Sequence, residues 1–315
     1  MIQTRDLSKV FRIGKKHKDE FTAVDGLTLD INQGEVFGFL GPNGAGKTTT
    51  VRMLACLIGA TRGSARVAGF QVGKDDTEIR RRVGILTESP GMYERLSAEK
   101  NLTIYANLYG VPDTQRAVGK YLSILGLWER RMDPVGSFSK GMRQKLAVAR
   151  ALLHEPQVLF LDEPTTGLDP EAAKTVREFI EELKTEGRTI FLTTHNLDEA
   201  DRLCDTVGII KQKLLAVDSP KALRDKLFGR KSVFHLRTIN PDWVGLVALQ
   251  PGVNAVSQIG EKLVVSLSDP ETQNPAIIKA LVNMGAQIMF VGELRHSLEQ
   301  VYLDLLYQGK EGGGQ

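Results

Sequence analysis

The run E35-V-F-G-F-L40, followed at once by G41-P-N-G-A-G46-K47-T48 and then T-T-V-R-M-L-A, constrains the fold of this chain more than any other stretch. An apolar strand, a glycine-rich turn and a helix in that order fit G-x-x-x-x-G-K-[ST], a loop whose backbone N–H groups curl around phosphates. The following helix presents the positive end of its dipole, Lys47 adds a full charge, and the Thr48 hydroxyl is placed to ligate Mg²⁺. A strand of this kind belongs in a sheet covered on both faces, so the expectation is an α/β fold.

The rest of the chain agrees. Short apolar runs at 83–86, 158–161, 189–193 and 207–210 alternate with helical patterns, as in a parallel sheet. The segment opening at Asp169-Pro170 has an N-cap, a proline at the first helical position, and Ala173, Val176, Ile180 and Leu183 on one face, and it stops before Gly187. Between about 89 and 150 the alternation gives way to helical pattern, with Leu102, Tyr105, Ala106 and Tyr109 in helical spacing and a second helix near 115–125, which predicts an inserted helical subdomain. A polar linker helix is expected over 219–230. Beyond it, strands near 232, 253 and 262, helices at 241–250 and 275–284, and a last helix opened by the capping box S297-L-E-Q300 predict a small α+β domain over 231–308. Residues 309–315 read as a flexible tail. The run K15-K-H-K18 reads as an exposed hairpin tip.

Composition narrows the function classes. The chain has 315 residues, 42% hydrophobic and 25% charged, enough for a main domain and a smaller one. A net charge of +3 is too mild to make nucleic acid the main partner. Cys56 and Cys204 are too few for a disulfide framework and lack metal-ligand spacing, which points to buried thiols in a reducing compartment. The N-terminus has no signal-peptide pattern, and no apolar run approaches the ~18 residues a membrane span needs. A membrane role would be supplied by a partner.

Two adjacent carboxylates, Asp162 and Glu163, end the apolar run V-L-F-L, and His195 follows T-I-F-L-T. In an open parallel sheet ligands bind beyond the carboxyl ends of the strands. The loop at 41–48, Glu88, the acidic pair and His195 all fall at such ends. Asp162 suits magnesium through its hydration shell, Glu163 suits polarising a water, and His195 suits orienting that water at a phosphate. Shortly before the acidic pair, S137-F-S-K-G-M-R-Q-K145 offers another anion site, a helix start capped by Ser139.

Taken in order, the loop at 41–48, S139-K-G-M-R-Q, L-F-L-D162-E163-P, G167-L-D169 and His195 resemble the ATP-binding cassette ATPases over roughly residues 1–218. The resemblance implies a P-loop NTPase fold with N-terminal antiparallel strands, and ATP and Mg²⁺ as ligands. Nucleotide contacts would come from Gly41, Pro42, Asn43, Gly44, Ala45, Gly46, Lys47, Thr48 and Thr49, with Phe11 stacked on adenine. Magnesium would be held by Thr48, Asp162 and Glu88, the last where most cassettes have glutamine. Catalysis would fall to Glu163 and His195. Ser139 and Gly141 would contact the ATP of a second subunit, and Asp169 would reach across the same dimer. The signature S-K-G-M-R-Q and the segment H296-S-L-E-Q-V-Y-L-D-L resemble an exporter branch whose membrane-spanning subunits are separate chains. That implies a peripheral ATPase on the cytoplasmic face of the membrane, paired as a homodimer or with another cassette. A soluble cassette ATPase of translation or DNA repair is the alternative, and the role of the C-terminal domain stays open.

Overall fold

A computed structural model describes residues 1–13, 19–87, 91–294 and 296–311; Glu88 and the run at 15–18 lie outside them. The chain divides into two compact units, Met1–Ser219 and Pro220–Gln315.

The first unit begins with β1 (Ile2–Ile13) and β2 (Asp19–Ile31), continues through β3 (Val36–Leu40), α1 (Lys47–Leu54), β4 (Arg62–Val67), β5 (Phe70–Gln71) and α2 (Asp76–Arg80), and reaches β6 (Val83–Leu86). Two helices, α3 (Ala98–Leu108) and α4 (Thr114–Ile124), occupy the interruption, and α5 (Lys140–Leu152) leads back to β7 (Val158–Asp162). Then follow α6 (Pro170–Thr185), β8 (Thr189–Thr194), α7 (Leu197–Leu203), β9 (Thr206–Lys211) and β10 (Lys213–Asp218).

Strands β2, β1, β4 and β5 form an antiparallel sheet, while the main sheet has the order β10-β9-β3-β8-β7-β6. Within it β9, β3, β8, β7 and β6 run parallel and β10 closes one edge antiparallel. Every residue of β3, β7 and β8 is buried, as expected of strands covered on both faces. Phe37, Phe39 and Phe160 gather around Phe191 at centroid distances of 5.4, 5.3 and 5.8 Å. Each such ring contributes about 2 kcal/mol by leaving water, so the middle of the sheet is the rigid floor under the loops at its carboxyl edge. A Cβ on Gly38 would fall 2.7 Å from Cys204 Sγ, so the fully packed thiol of Cys204 depends on that glycine. Burial pushes the Cys204 thiol pKa up. Cys56 is only half-buried, and burial with the Asp76 carboxylate beside it pushes its thiol to about 12.

Asp169 caps α6 by accepting from the Ala172 N–H at 2.9 Å, and Ala173, Val176, Ile180 and Leu183 form its buried face. In the helical insertion Leu102 and Ala106 are buried, but Tyr109 is not part of the helix core. It is 43% exposed and stacks on His154 at 3.9 Å. Carbonyl contact with Val83 and packing inside the fold hold the His154 ring, and burial pulls its pKa down.

The second unit comprises α8 (Pro220–Phe228), β11 (Arg230–Leu236), α9 (Asp242–Ala248), β12 (Val253–Ile259), β13 (Lys262–Leu267), α10 (Pro270–Asn283), β14 (Ile288–Glu293) and α11 (Leu298–Glu311). Its sheet has the order β12-β13-β11-β14, packed through Phe234, Leu263, Val265, Ile277 and Leu281. The edge strand β14 was not expected from the sequence, and α11 extends to Glu311, past the point where a tail was expected. Ser297 and Gln300 make both hydrogen bonds of the capping box, each at 3.2 Å.

Candidate functional site

The turn after β3 is shaped by its glycines. Gly44 and Gly46 adopt φ of 80° and 103°, where a side chain is strained, and a Cβ on Gly46 would fall 2.3 Å from the Ala23 carbonyl oxygen. The α1 N-terminus follows with no side-chain cap, so its first N–H groups remain available. These groups line a cavity of about 410 Å³ formed by residues 42–49 with Phe21, Ala23, Glu163, Thr166 and His195. Residues from three strand ends of the main sheet therefore converge, and the opening is rich in donors suited to an anion.

Gly41 has a different part. It does not line the cavity: its carbonyl accepts from Lys47 Nζ at 2.7 Å, and a Cβ there would fall 2.4 Å from Ile210 O. Lys47 Nζ also stands 3.6 Å from Glu163 Oε1, and the two side chains are only 7% and 10% exposed. The other oxygen, Glu163 Oε2, lies 2.8 Å from His195 Nδ1 and accepts the Thr166 hydroxyl at 3.0 Å. Both oxygens of Glu163 are thus held, while His195 is itself 59% exposed and can reach outward. Glu163 has φ of 52°, left-handed for a residue with a long side chain, which turns it out of β7 toward the cavity.

Asp162 is 2% exposed and points elsewhere. It lines a neighbouring cavity of about 300 Å³ with Thr48, Val51, Arg52, Ile85 and Thr87. Its Oδ1 accepts the Thr193 hydroxyl, and among the described residues its other oxygen has no protein partner. Asp162 and Thr48 both line this space, and a carboxylate and a hydroxyl are hard oxygen donors that would suit a hydrated magnesium ion. Glu88 comes next after Thr87 but lies outside the described residues.

Phe11 does not line the nucleotide-sized cavity; Phe21 does. The two stand opposite each other in the β1–β2 ladder, and Lys9 Nζ lies 5.1 Å from the Phe11 ring centre. Both aromatics are visible in the sequence, but as cross-strand partners they share a face, and only the three-dimensional placement of the cavity tells which one reaches it.

Ser139, Gly141 and Asp169 cluster away from either cavity. Ser139 caps α5, its hydroxyl accepting the Met142 N–H at 3.2 Å. A Cβ on Gly141 would meet Ala172 Cβ at 2.7 Å and approach Asp169 Oδ2 at 3.8 Å, so the glycine lets α5 lie close against the start of α6. The same fit explains Lys140: its ammonium lies over Gly167, where a Cβ would fall 2.1 Å from Nζ. Three residues given no role in the sequence reading bond within or beside the run that follows the acidic pair. Gln144 Nε2 donates to Pro164 O at 2.7 Å, Thr166 holds Glu163, and Thr165 donates to the buried Glu199 at 2.8 Å. Thr165 and Thr166 belong to the D162-E163-P-T-T run, and Gln144 closes the S139-K-G-M-R-Q run, which are the signals that flag them.

With this geometry in view, comparison with known proteins is direct. The family model described as "ABC transporter" matches residues 24–166. A model described as "AAA domain, putative AbiEii toxin, Type IV TA system" matches residues 134–201, the part holding α5, the acidic pair and His195. The chain is 44% identical over 221 residues to the bacitracin transport ATP-binding protein BcrA of Bacillus licheniformis, covering 70% of each. It is 30% identical to the linearmycin resistance ATP-binding protein LnrL of Bacillus subtilis (strain 168), covering 97% of this chain and 98% of that one. A solved structure titled "Structure of ATP binding subunit of ABC transporter" superposes with a TM-score of 0.65 at 30% identity, covering 73% of this chain and 94% of its own. The loop, the acidic pair and the capped helix start lie within residues 24–166 and the histidine within residues 134–201 of the two family-model matches, and the chain belongs to the ABC transporter family as an ATP-binding, ATP-hydrolysing subunit.

Proposed function

We propose that this subunit powers export through membrane-spanning chains separate from it, seated peripherally on the cytoplasmic face of the membrane. The relatives named for bacitracin transport and linearmycin resistance support that direction, the second across almost the whole chain. Among the described residues no helix is long and apolar enough to cross a membrane. In this reading residues 1–218 are the cassette, 89–150 its helical subdomain, and 231–308 an appended domain. Its substrate is chosen by the membrane partner.

Residues 42–49 hold the phosphates of ATP, with Lys47 as the principal cation and Gly41 bracing it. Thr48 and Asp162, joined by Glu88, hold Mg²⁺, which when bound neutralises phosphate charge. Glu163 takes a proton from the attacking water, and His195 fixes Glu163 and reaches toward the terminal phosphate. Ser139 and Gly141 line neither cavity. They suit the nucleotide of a second cassette, with Asp169 beside them, so the working form is a homodimer or paired cassette. The convergence of Lys47, Glu163 and His195 on one cavity, with a capped helix start left over, is the observation that carries this reading.

Affinity purification of the full chain from membranes tests the coupling. Recovery of a multi-span partner that stimulates ATP turnover is expected. Recovery only in the soluble fraction, bound to ribosomes or DNA ends, would favour the translation or repair alternative.

A further inference from the structure

Thr193 lies inside the apolar run T-I-F-L-T, where a threonine reads as strand filler. In the sheet it occupies the row between β3 and β7, in register with Phe39 on one side and Asp162 on the other. Neighbouring parallel strands in register point paired side chains to the same face, so Thr193 and Asp162 meet. Thr193 is 0% exposed, and its hydroxyl and its carbonyl both contact the acidic pair. Its hydroxyl donates to Asp162 Oδ1. The Glu163 N–H donates to the Thr193 carbonyl at 3.0 Å and to its hydroxyl oxygen at 3.3 Å.

We infer that Thr193 is a positioning residue for both acidic side chains: its hydroxyl turns Asp162 so that the second carboxylate oxygen faces the cavity shared with Thr48, and its backbone and hydroxyl oxygens hold the turn that presents Glu163. A hydroxyl has a single proton, and an ionised carboxylate can only accept, so the direction of the bond to Asp162 is fixed. The Glu163 N–H in turn anchors a residue at φ 52° that would otherwise relax toward the strand. Partners that orient a metal ligand commonly matter almost as much as the ligand. The inference rests on the reading that Asp162 and Thr48 hold the divalent ion.

The test measures Mn²⁺ retention in the presence of ADP by electron paramagnetic resonance, and ADP affinity in EDTA by titration calorimetry, on the full chain. Thr193→Val, which keeps shape and loses the donor, is expected to weaken Mn²⁺ binding by about tenfold or more, with metal-free ADP affinity unchanged. Thr193→Ser restores the donor and should return to wild-type behaviour, while Asp162→Asn should lose the ion. If Thr193→Val does not fold, Thr193→Ala reads the same donor loss without the added methyl. Normal Mn²⁺ binding in Thr193→Val beside its loss in Asp162→Asn would overturn the inference alone. Normal binding in Asp162→Asn would overturn the metal assignment and the inference with it. Equal impairment of the Ser and Val variants would also overturn it, since the hydroxyl would not be the acting group.

Discussion

The ammonium of Lys47 lies 3.6 Å from Oε1 of Glu163, and both side chains are at least about nine-tenths buried. The cation proposed to bind phosphate and the carboxylate proposed to activate water therefore line the same cavity. Charge-assisted hydrogen bonds to phosphate contribute roughly 1.5–3 kcal/mol each. Lys47→Ala is thus expected to weaken nucleotide binding by about tenfold to a hundredfold in a fluorescence titration. Unchanged affinity would remove Lys47 from the phosphate site.

The two aromatics of the β1–β2 ladder separate in the same assay. Stacking contributes about 0.5–1.5 kcal/mol beyond area burial, so Phe21→Ala should weaken ATP binding by about threefold to tenfold, with a smaller effect from Phe11→Ala. The reverse order would return the adenine contact to Phe11, the position the family resemblance implies.

Ser139 is asked to do two things, and they can be told apart. Ser139→Ala removes the α5 cap, at a cost of about 1 kcal/mol, and should lower the melting temperature by roughly 2–4 °C. Ser139→Asp retains a good cap but sets a negative charge where the second subunit's phosphate would arrive. Its melting temperature should recover while ATP turnover stays low. Recovery of turnover along with stability would leave Ser139 a cap and nothing more.

Glu155 joins the helical insertion to the main sheet. Burial pushes its pKa up, but hydrogen bonds from Lys120, Tyr121 and Arg188 outweigh that and hold it down to about 2, from an ordinary 4.5. A lowered carboxylate pKa stabilises the fold fully above pH ~4.5, and the contribution fades as pH falls toward ~2. The side chain is 48% exposed, so after discounting for screening the contribution is about 1–2 kcal/mol. Glu155→Gln should be less stable than wild type by that amount at pH 7 in urea titrations, and the gap should narrow below pH 4. A gap independent of pH would mean that packing, not charge, does the holding.

Much of this was legible in the sequence, for physical reasons that differ by residue. The strands β3, β7 and β8 are continuous apolar runs because both faces are covered, and that pattern also located the loop, the acidic pair and His195 at their ends. What the sequence could not show depends on three-dimensional placement and close approach. Gly41 reads as a phosphate glycine but is required by the Ile210 carbonyl, Phe21 rather than Phe11 reaches the cavity, and Thr193 looks like filler until Asp162 is set beside it. Strand β14 (I288-M-F-V-G-E293) carries a short apolar run that by itself does not separate a strand from a helix segment, and in the sheet it is an edge strand with Met289 and Phe290 71% and 61% exposed.

The most direct test of the account is Glu163→Gln, which keeps the side chain's size and its contact with His195 but removes the base. Turnover should fall by about a hundredfold or more, and ATP with magnesium should shift the full chain to a stable dimer by size-exclusion chromatography with light scattering. Turnover at the wild-type rate, or a chain that stays monomeric when saturated with ATP, would contradict the assignment of the base and the two-subunit site respectively.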